Sequence, residues 1–465
     1  MLSKTLKTLR RPLAAALVAG VTALPAAAET LADAMVAAYR HSALLDQNRA
    51  VLRAADEDAA SAIAALRPVV QWVAEYTYQN IEGFDANSRS IALEASLTLY
   101  DWGRNAIAID IAKETVLATR AALVGVEQDV LLGAVEAYLN VRSASEQVDL
   151  QSNSVRVIGQ EKNAATDRFE VGEITQTDVS QADAALAAAR ADLATAQGDL
   201  EIARENYRAL TGKLPGKLAP PPSSPKQPAN LGAARDIGRR MHPLVQQAQR
   251  QAAADELGVA AAAAERNPEL TASAGLARAR NKTISTGGIP VTTDSGSVSL
   301  SMSQTIYSGG RLPAAHRKAM AQRDSARAEL VNVSRQVDQS VGTAWAQIDV
   351  ARAQIRAIDQ QITAAQQAYN GVREEATLGA RTTLDVLDAE QSLLEARANK
   401  ITAEANLQLA HYQLLSAMGL LTVENLKLGI PTYDPSAYYN SVQDAPFTSR
   451  QGKSLDRVLR AIGKD

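Results

Sequence analysis

Tyr100-Asp101-Trp102-Gly103-Arg104 and Tyr307-Ser308-Gly309-Gly310-Arg311 are one motif written twice, 207 positions apart in a chain of 465 residues. The same offset carries Gly172, Thr175, Asp178, Val179, Ala182, Arg190 and Gly212 onto Gly379, Thr382, Asp385, Val386, Ala389, Arg397 and Gly419. Nearer the start, Leu31, Leu44 and Pro68 return as Leu231, Leu244 and Pro268 at an offset of 200, so about seven residues enter between Pro268 and Tyr307. A unit this long is a duplicated half-domain, not a solenoid repeat. The halves read as residues 29–213 and 230–428. They are joined by a Pro/Ser-rich linker over 214–229 and followed by a mostly irregular tail over 429–465, with a short helix expected at 455–462.

Outward from the repeated motif the chain reads as long helix. No proline interrupts Val69–Leu214 or Ala314–Ile430. Arg104 to about Ala165 and Arg311 to about Ala376 each predict a single helix of some 60 residues, roughly 90 Å long. Asp178–Leu210 then carries a heptad: Val179, Leu186, Leu193, Leu200 and Tyr207, with Ala182, Ala189, Ala196, Ala203 and Leu210 three residues after each. The second half repeats it as Val386, Leu393, Lys400, Leu407 and Leu414 against Ala389, Ala396, Ala403, Ala410 and Ala417. A seven-residue period with large residues facing alanine predicts left-handed coiling of closely packed helices.

Inward from the motif lie four alternating stretches, predicted as strands at about 69–79, 89–100, 269–280 and 295–307. Val70, Trp72, Ala74, Tyr76 and Tyr78 alternate with Gln71, Glu75, Thr77 and Gln79; Val298, Leu300, Met302 and Ile306 alternate with Ser297, Ser299, Ser301, Ser303 and Thr305. One apolar face and one face of small polar residues, over about ten residues, is the pattern of a membrane β-strand lining a wet lumen. Gly- and polar-rich loops are expected at 80–87 and 281–294. Four strands cannot close a barrel, and an open edge in lipid leaves backbone groups unpaired. Several chains must therefore share one barrel, with eight strands from two chains or twelve from three; the residues leave both open.

The ends and the composition bound the function. Lys4, Lys7, Arg10 and Arg11, an apolar run from Leu13 to Leu24 and Ala26-Ala27-Ala28 form a predicted signal peptide over 1–28, with the mature chain starting at Glu29. Its removal leaves 44 basic against 51 acidic residues, which argues against a nucleic-acid partner. The chain has no cysteine, and His41, His242, His316 and His411 show no ligand spacing, so neither a metal nor another cofactor is expected.

The candidate site is the reversal between long helix and heptad helix. Gly172 and Gly379 are placed to end the first helix in the left-handed conformation. Thr175 and Thr382 can cap the next, with Asp178 and Asp385 completing T-x-x-D boxes. Asp388 lies one turn beyond Asp385 on the same face, but its repeat partner is Gln181, so capping does not account for it. Copied around an axis, Asp385 and Asp388 would form stacked acid rings that select cations and, by mutual repulsion, titrate at raised pH. An acid/base enzyme reading finds no nucleophile or convergent pocket around the pair. A soluble periplasmic coiled-coil adaptor would explain the hairpins but not the four strands.

The segment Gly379-Ala-Arg-Thr-Thr-Leu-Asp-Val-Leu-Asp388-Ala-Glu-Gln resembles the hairpin tip of the TolC family of outer-membrane efflux and type I secretion proteins. Arg168-Phe-Glu-Val-Gly-Glu-Ile-Thr-Gln-Thr-Asp-Val resembles the first-half counterpart. The resemblance implies a mainly α protein with a membrane β-barrel part: a homotrimer whose twelve-stranded barrel in the outer membrane continues as a long α-helical barrel through the periplasm. It further implies a passive exit duct opened by a periplasmic adaptor and an inner-membrane ABC or proton-driven exporter. By motif match Arg381 would hold the closed tip through Thr177 and Asp178. The family's archetype has a tyrosine in that closing network where this chain has Ala376.

Overall fold

The protein was analysed as a computed structural model, which describes residues 28–81, 83–282, 287–443 and 457. The predicted signal peptide apart from Ala28, and the predicted helix at 455–462 apart from Arg457, lie outside them. The elements run α1 (Leu31–His41), α2 (Ala43–Ala64), β1 (Val69–Ile81), β2 (Phe84–Tyr100), α3 (Arg104–Glu170) and α4 (Gln176–Thr211). The second half repeats them as α5 (Leu231–Met241), α6 (Pro243–Ala264), β3 (Glu269–Lys282), β4 (Val291–Ser303), α7 (Arg311–Thr377) and α8 (Thr383–Ala417), and α9 (Pro435–Val442) follows. The helices α3 and α7 have 67 residues each, or about 100 Å.

The heptad seam is buried over most of its length; Leu193 is half-buried and Leu210, its last member in α4, is exposed. Val179, Ala182, Leu186, Ala189, Ala196, Leu200, Ala203 and Tyr207 of α4 are in the core, as are Val386, Leu393, Ala396, Ala403, Ala410 and Leu414 of α8. Lys400, the one charged residue in the seam, is held by Asp359 of α7 at 2.8 Å. The main core lies midway along the long helices, where α1, α2, α5 and α6 pack on α3 and α7 around Tyr138, Leu131, Tyr207, Leu414 and Met418. The linker is pinned there rather than loose. Glu29 N–H donates to the Lys217 carbonyl, Ala219 N–H donates to that of Glu29, and the Tyr138 hydroxyl donates to the Ala219 carbonyl at 2.6 Å.

The strands form one antiparallel sheet in the order β1-β2-β3-β4, with β1 and β4 as its edges. The two halves therefore meet through β2 and β3. The register lines Trp72, Leu93, Leu276 and Gly296 in one row and Val70, Ala95, Ala274 and Val298 in the next, all on the apolar face. The other face aligns Gln71, Glu94, Gly275 and Ser297, with Gln71 donating to Glu94 at 3.2 Å and Ser273 bonding Ser299 at 2.7 Å. The apolar face is open to the surroundings: Trp72 is 69% and Val298 87% exposed.

Three local expectations differ from what is observed. The loop at 80–87 is mostly strand, because the Tyr78 hydroxyl and the Asn80 amide both donate to Asp85 and tighten the hairpin onto Gly83, whose φ is +84°. The fourth strand starts at Val291 and stops at Ser303, not at residue 307. Its partner β3 begins at Glu269, directly after Pro268, so nothing remains for Gln304–Tyr307 to pair with. The tail is not all irregular: Asp434 caps α9 through Ser436 N–H, with Pro435 at its first position. In addition Leu99 is passed over in the β2–β3 register, and this bulge brings Tyr100 opposite Leu270, where its ring packs on Trp102 at 4.6 Å.

Candidate gate at the hairpin tips

Each reversal is built as the spacing predicts. Gly172 and Gly379 have φ of +79° and +76°. Thr175 accepts from Asp178 N–H, while Asp178 accepts from Thr175 N–H at 2.9 Å and from its hydroxyl at 2.7 Å; Thr382 and Asp385 make the same box. These hydrogen bonds favour the ionised form, so the Asp178 and Asp385 carboxyls are both held below the usual carboxylate range. This lowering arises within one chain, where the Asp385 carboxylate is engaged in the cap; the rise expected for the acid rings concerns copies that only the assembly brings together. Asp388 is different: it is exposed, and its carboxylate has no hydrogen-bond or ion-pair partner among the described residues.

Arg381 does not reach Thr177 or Asp178 of its own chain. Its Nε donates to Glu375 at 2.9 Å, across the reversal. Thr177 is exposed. Ala376 is buried in a small cluster with Tyr369, Val386 and Leu393, so this position packs the α7–α8 seam and offers no hydroxyl.

A charged layer above the tips went unread in the sequence. Arg373 of α7 pairs with Glu161 of α3 at 3.3 Å, and Lys162 of α3 pairs with Asp183 of α4 at 2.6 Å. Glu390 of α8 is buried beside this layer, and its carboxyl is pushed up by burial. Glu161 adds to that rise, while Arg397 and Arg373 oppose it. Leu387, next to Asp388, packs against Ala182, Leu186 and Ala189, tying one hairpin to the other. The quoted tip contains Glu390 but gives no sign of its burial, since it lies only two residues from exposed Asp388.

Among the described residues no group of His, Asp and Glu is arranged to hold a metal, and no helix is long and apolar enough to cross a membrane. The membrane-facing surface is the sheet. A sheet with a bare apolar face and two open edges, carried on two 100 Å hairpins with acidic tips, defines the subunit of an outer-membrane tunnel. The family profile described as Outer membrane efflux protein matches residues 35–213 and 239–420. The chain is 32% identical to the outer membrane efflux protein BepC of Brucella suis over 94% of its own length and 96% of that protein's. It is 26% identical to the outer membrane protein TolC of Escherichia coli, covering 87% and 86% of the two chains. The crystal structure of VceC from Vibrio cholerae superposes with a TM-score of 0.71 at 21% identity, covering 84% of this chain and 96% of that one. The chain belongs to the outer membrane efflux protein family, and its place is the outer membrane, with the helices extending into the periplasm.

Proposed function

We propose that three copies assemble into an exit duct for type I secretion or multidrug efflux, opened at its tips by a periplasmic adaptor and an inner-membrane ABC or proton-driven exporter. One observation carries the reading. The sheet ends in two unpaired edges, β1 and β4, below an apolar face that is bare. In lipid each unpaired backbone group costs several kcal/mol, so β1 of one copy must meet β4 of the next. The helical hairpins then continue the ring as a tube. Around its axis the exposed Asp388 carboxylates form one acid ring and the capped Asp385 carboxylates a second. Arg381 exchanges Glu375 for Thr177 and Asp178 of an adjoining hairpin when the tip closes. Cargo passes without chemical change; the acids at the tip lie on an exposed helix face without a pocket for catalysis.

The absence of native cysteine gives a direct test. Thr77→Cys in β1 combined in turn with Ser295→Cys, Ser297→Cys or Ser299→Cys in β4 should yield, at the matching register, an oxidised ladder ending at trimer in membranes. A ladder ending at dimer would mean eight strands, and no ladder at any register would remove the shared barrel. Conductance in planar bilayers should accompany the trimer.

A further inference from the structure

The apolar face ends in a row that does not fit a purely apolar surface. At the hairpin end the register aligns Tyr76, Arg89, Arg280 and Thr292 on that face, one row beyond Ala74, Ile91, Arg278 and Asp294. Arg278 is neutralised by a two-bond pair with Asp294, at 2.6 and 2.8 Å. Arg89 and Arg280 stand directly opposite each other, and neither has an ion-pair partner among the described residues. Arg89 lies over the Tyr76 ring at 5.3 Å. Like charges directly across a sheet are destabilising, and this pair sits at the border of the exposed apolar rows. On the opposite face the two flanking rows hold no arginine or lysine: one is Glu75, Ser90, Ala279 and Thr293, and in the other the Ser88 hydroxyl donates to Asn281 at 2.6 Å. The positive charge is therefore placed on the lipid side and not along the lumen.

We propose that Arg89 and Arg280 together bind the phosphate of an anionic lipid headgroup in the outer leaflet, whose acyl chains lie on the apolar rows below. The inference rests on the outer-membrane setting: all helices leave from the other end of the strands, so this row lies at the outward rim. It lies four residues, about 13 Å along the strands, beyond the row of Trp72, Leu93 and Leu276, at headgroup height. Two guanidinium groups side by side offer paired donors to phosphate oxygens, and Tyr76 supplies the amphipathic ring suited to that interface. A phosphate bound between the arginines removes their repulsion, whereas a zwitterionic headgroup brings its own cation. The occupant is thus a phosphate-bearing lipid whose phosphates are not masked by choline.

The test uses the full chain reconstituted in phosphatidylcholine nanodiscs doped with bis-phosphorylated lipid A or with its dephosphorylated form, and reads retained lipid by native mass spectrometry. Wild type should retain the phosphorylated lipid at least about tenfold better, given the usual gain from two basic residues at an anionic surface. Arg89→Gln/Arg280→Gln should lose that preference while its bilayer conductance stays at the wild-type value. The proposal is overturned by equal retention of the two lipids on wild type, by a preference that survives in the double variant, or by inorganic phosphate alone abolishing it at millimolar level. The wild-type comparison decides even where the variant fails to assemble. A protein that conducts but shows no lipid preference refutes this inference alone; one that neither inserts nor conducts refutes the duct.

Discussion

Gly419 offers a stringent test of how the second half is locked together. It follows α8 with φ of +76°; its N–H donates to Ser416 and that of Leu420 to Leu415, both at 2.8 Å. A methyl group there would stand 2.6 Å from the Met241 carbonyl oxygen and 2.7 Å from the His242 Cα, both backbone atoms of the α5–α6 junction. Met418 and Leu421 beside it are fully buried, so the junction has no free volume to retreat into. Gly379 at the tip has the same φ but nothing within 4 Å of the added methyl. Gly379→Ala therefore carries only the left-handed strain, about 1–2 kcal/mol. Gly419→Ala adds overpacking against backbone, a further 1–3 kcal/mol or so. Unfolding of a membrane oligomer is best followed as a half-life at fixed temperature, for instance the conversion of detergent-purified oligomer to monomer on a gel. The extra term shortens that half-life by about fivefold to a hundredfold beyond Gly379→Ala. Gly212, the repeat equivalent, supplies the control: its added methyl would meet only the His41 ring, at 2.7 Å. His41→Ala should therefore rescue Gly212→Ala, while no side-chain truncation rescues Gly419→Ala. Equal half-lives for Gly419→Ala and Gly379→Ala would refute the rigid junction.

Further outcomes follow from the site and the core. Asp388→Asn should weaken block of the conductance by a trivalent cation at least about tenfold, since an exposed acid ring sets cation affinity; Asp385→Asn should do less, because its carboxylate is already engaged by the Thr382 N–H and hydroxyl in the capping box. Equal effects would show that the cap does not hold Asp385 back. Arg373→Ala should increase leak through the closed tip, read as basal bilayer current or vancomycin sensitivity of cells, with a stability loss of about 1–3 kcal/mol because Glu161, only 16% exposed, is left without its cation; unchanged leak would leave the pair outside the gate. Asp56 is completely buried in α2 with Arg120 3.9 Å away and no hydrogen bond to either carboxyl oxygen, and burial raises its carboxyl to about 6. Its protonated form is the one favoured by folding, so this contribution is present below about pH 4 and lost as pH rises through 6, about 3 kcal/mol per chain in all. Oligomer half-lives measured across that window should fall with pH in wild type relative to Asp56→Asn, and identical slopes would contradict it.

The features legible in the sequence are those each residue fixes alone or with its helical neighbours. Gly172 and Gly379 mark the reversals because their positive φ excludes most other residues, and the heptads mark the seams because burial recurs every seven positions. What escaped depends on residues distant in the chain or in the assembly. The end of β4 is set by Pro268, just before the neighbouring strand begins, and the strand character of residues 80–87 by the bonds of Tyr78 and Asn80 to Asp85. Arg381 meets Glu375 because a reversal folds six residues back on themselves, a geometry that helical spacing does not describe. Glu390 is buried beside a charged layer to which α3 contributes Glu161, a neighbour that the α7–α8 sequence does not contain. The helix α9 is the exception, since Asp434-Pro435 is a local capping signal in plain view.

The duplication also separates what the fold needs from what the tip does. Residues that serve the backbone occur in both halves: the glycines at the reversals and the Thr–Asp boxes. Near the tip the halves exchange charge in both directions: Glu170 and Glu173 correspond to Thr377 and Ala380, while several apolar or neutral positions of the first half are charged in the second. Ile174, packed beneath the first reversal, corresponds to Arg381; Gln181 corresponds to Asp388; Leu193 corresponds to Lys400. Each replacement removes an apolar or neutral contact from the α7–α8 hairpin and adds a group held by an exposed ion pair or by none. Exposed ion pairs contribute little and exchange partners at small cost, whereas apolar burial resists separation in proportion to its area. On the gating proposed above, the α3–α4 hairpin is the fixed wall and α7–α8 the part that moves. Restoring the symmetry with Arg381→Ile and Lys400→Leu should then stiffen the second hairpin and make the tip harder to open by its exporter, with the tube still assembled.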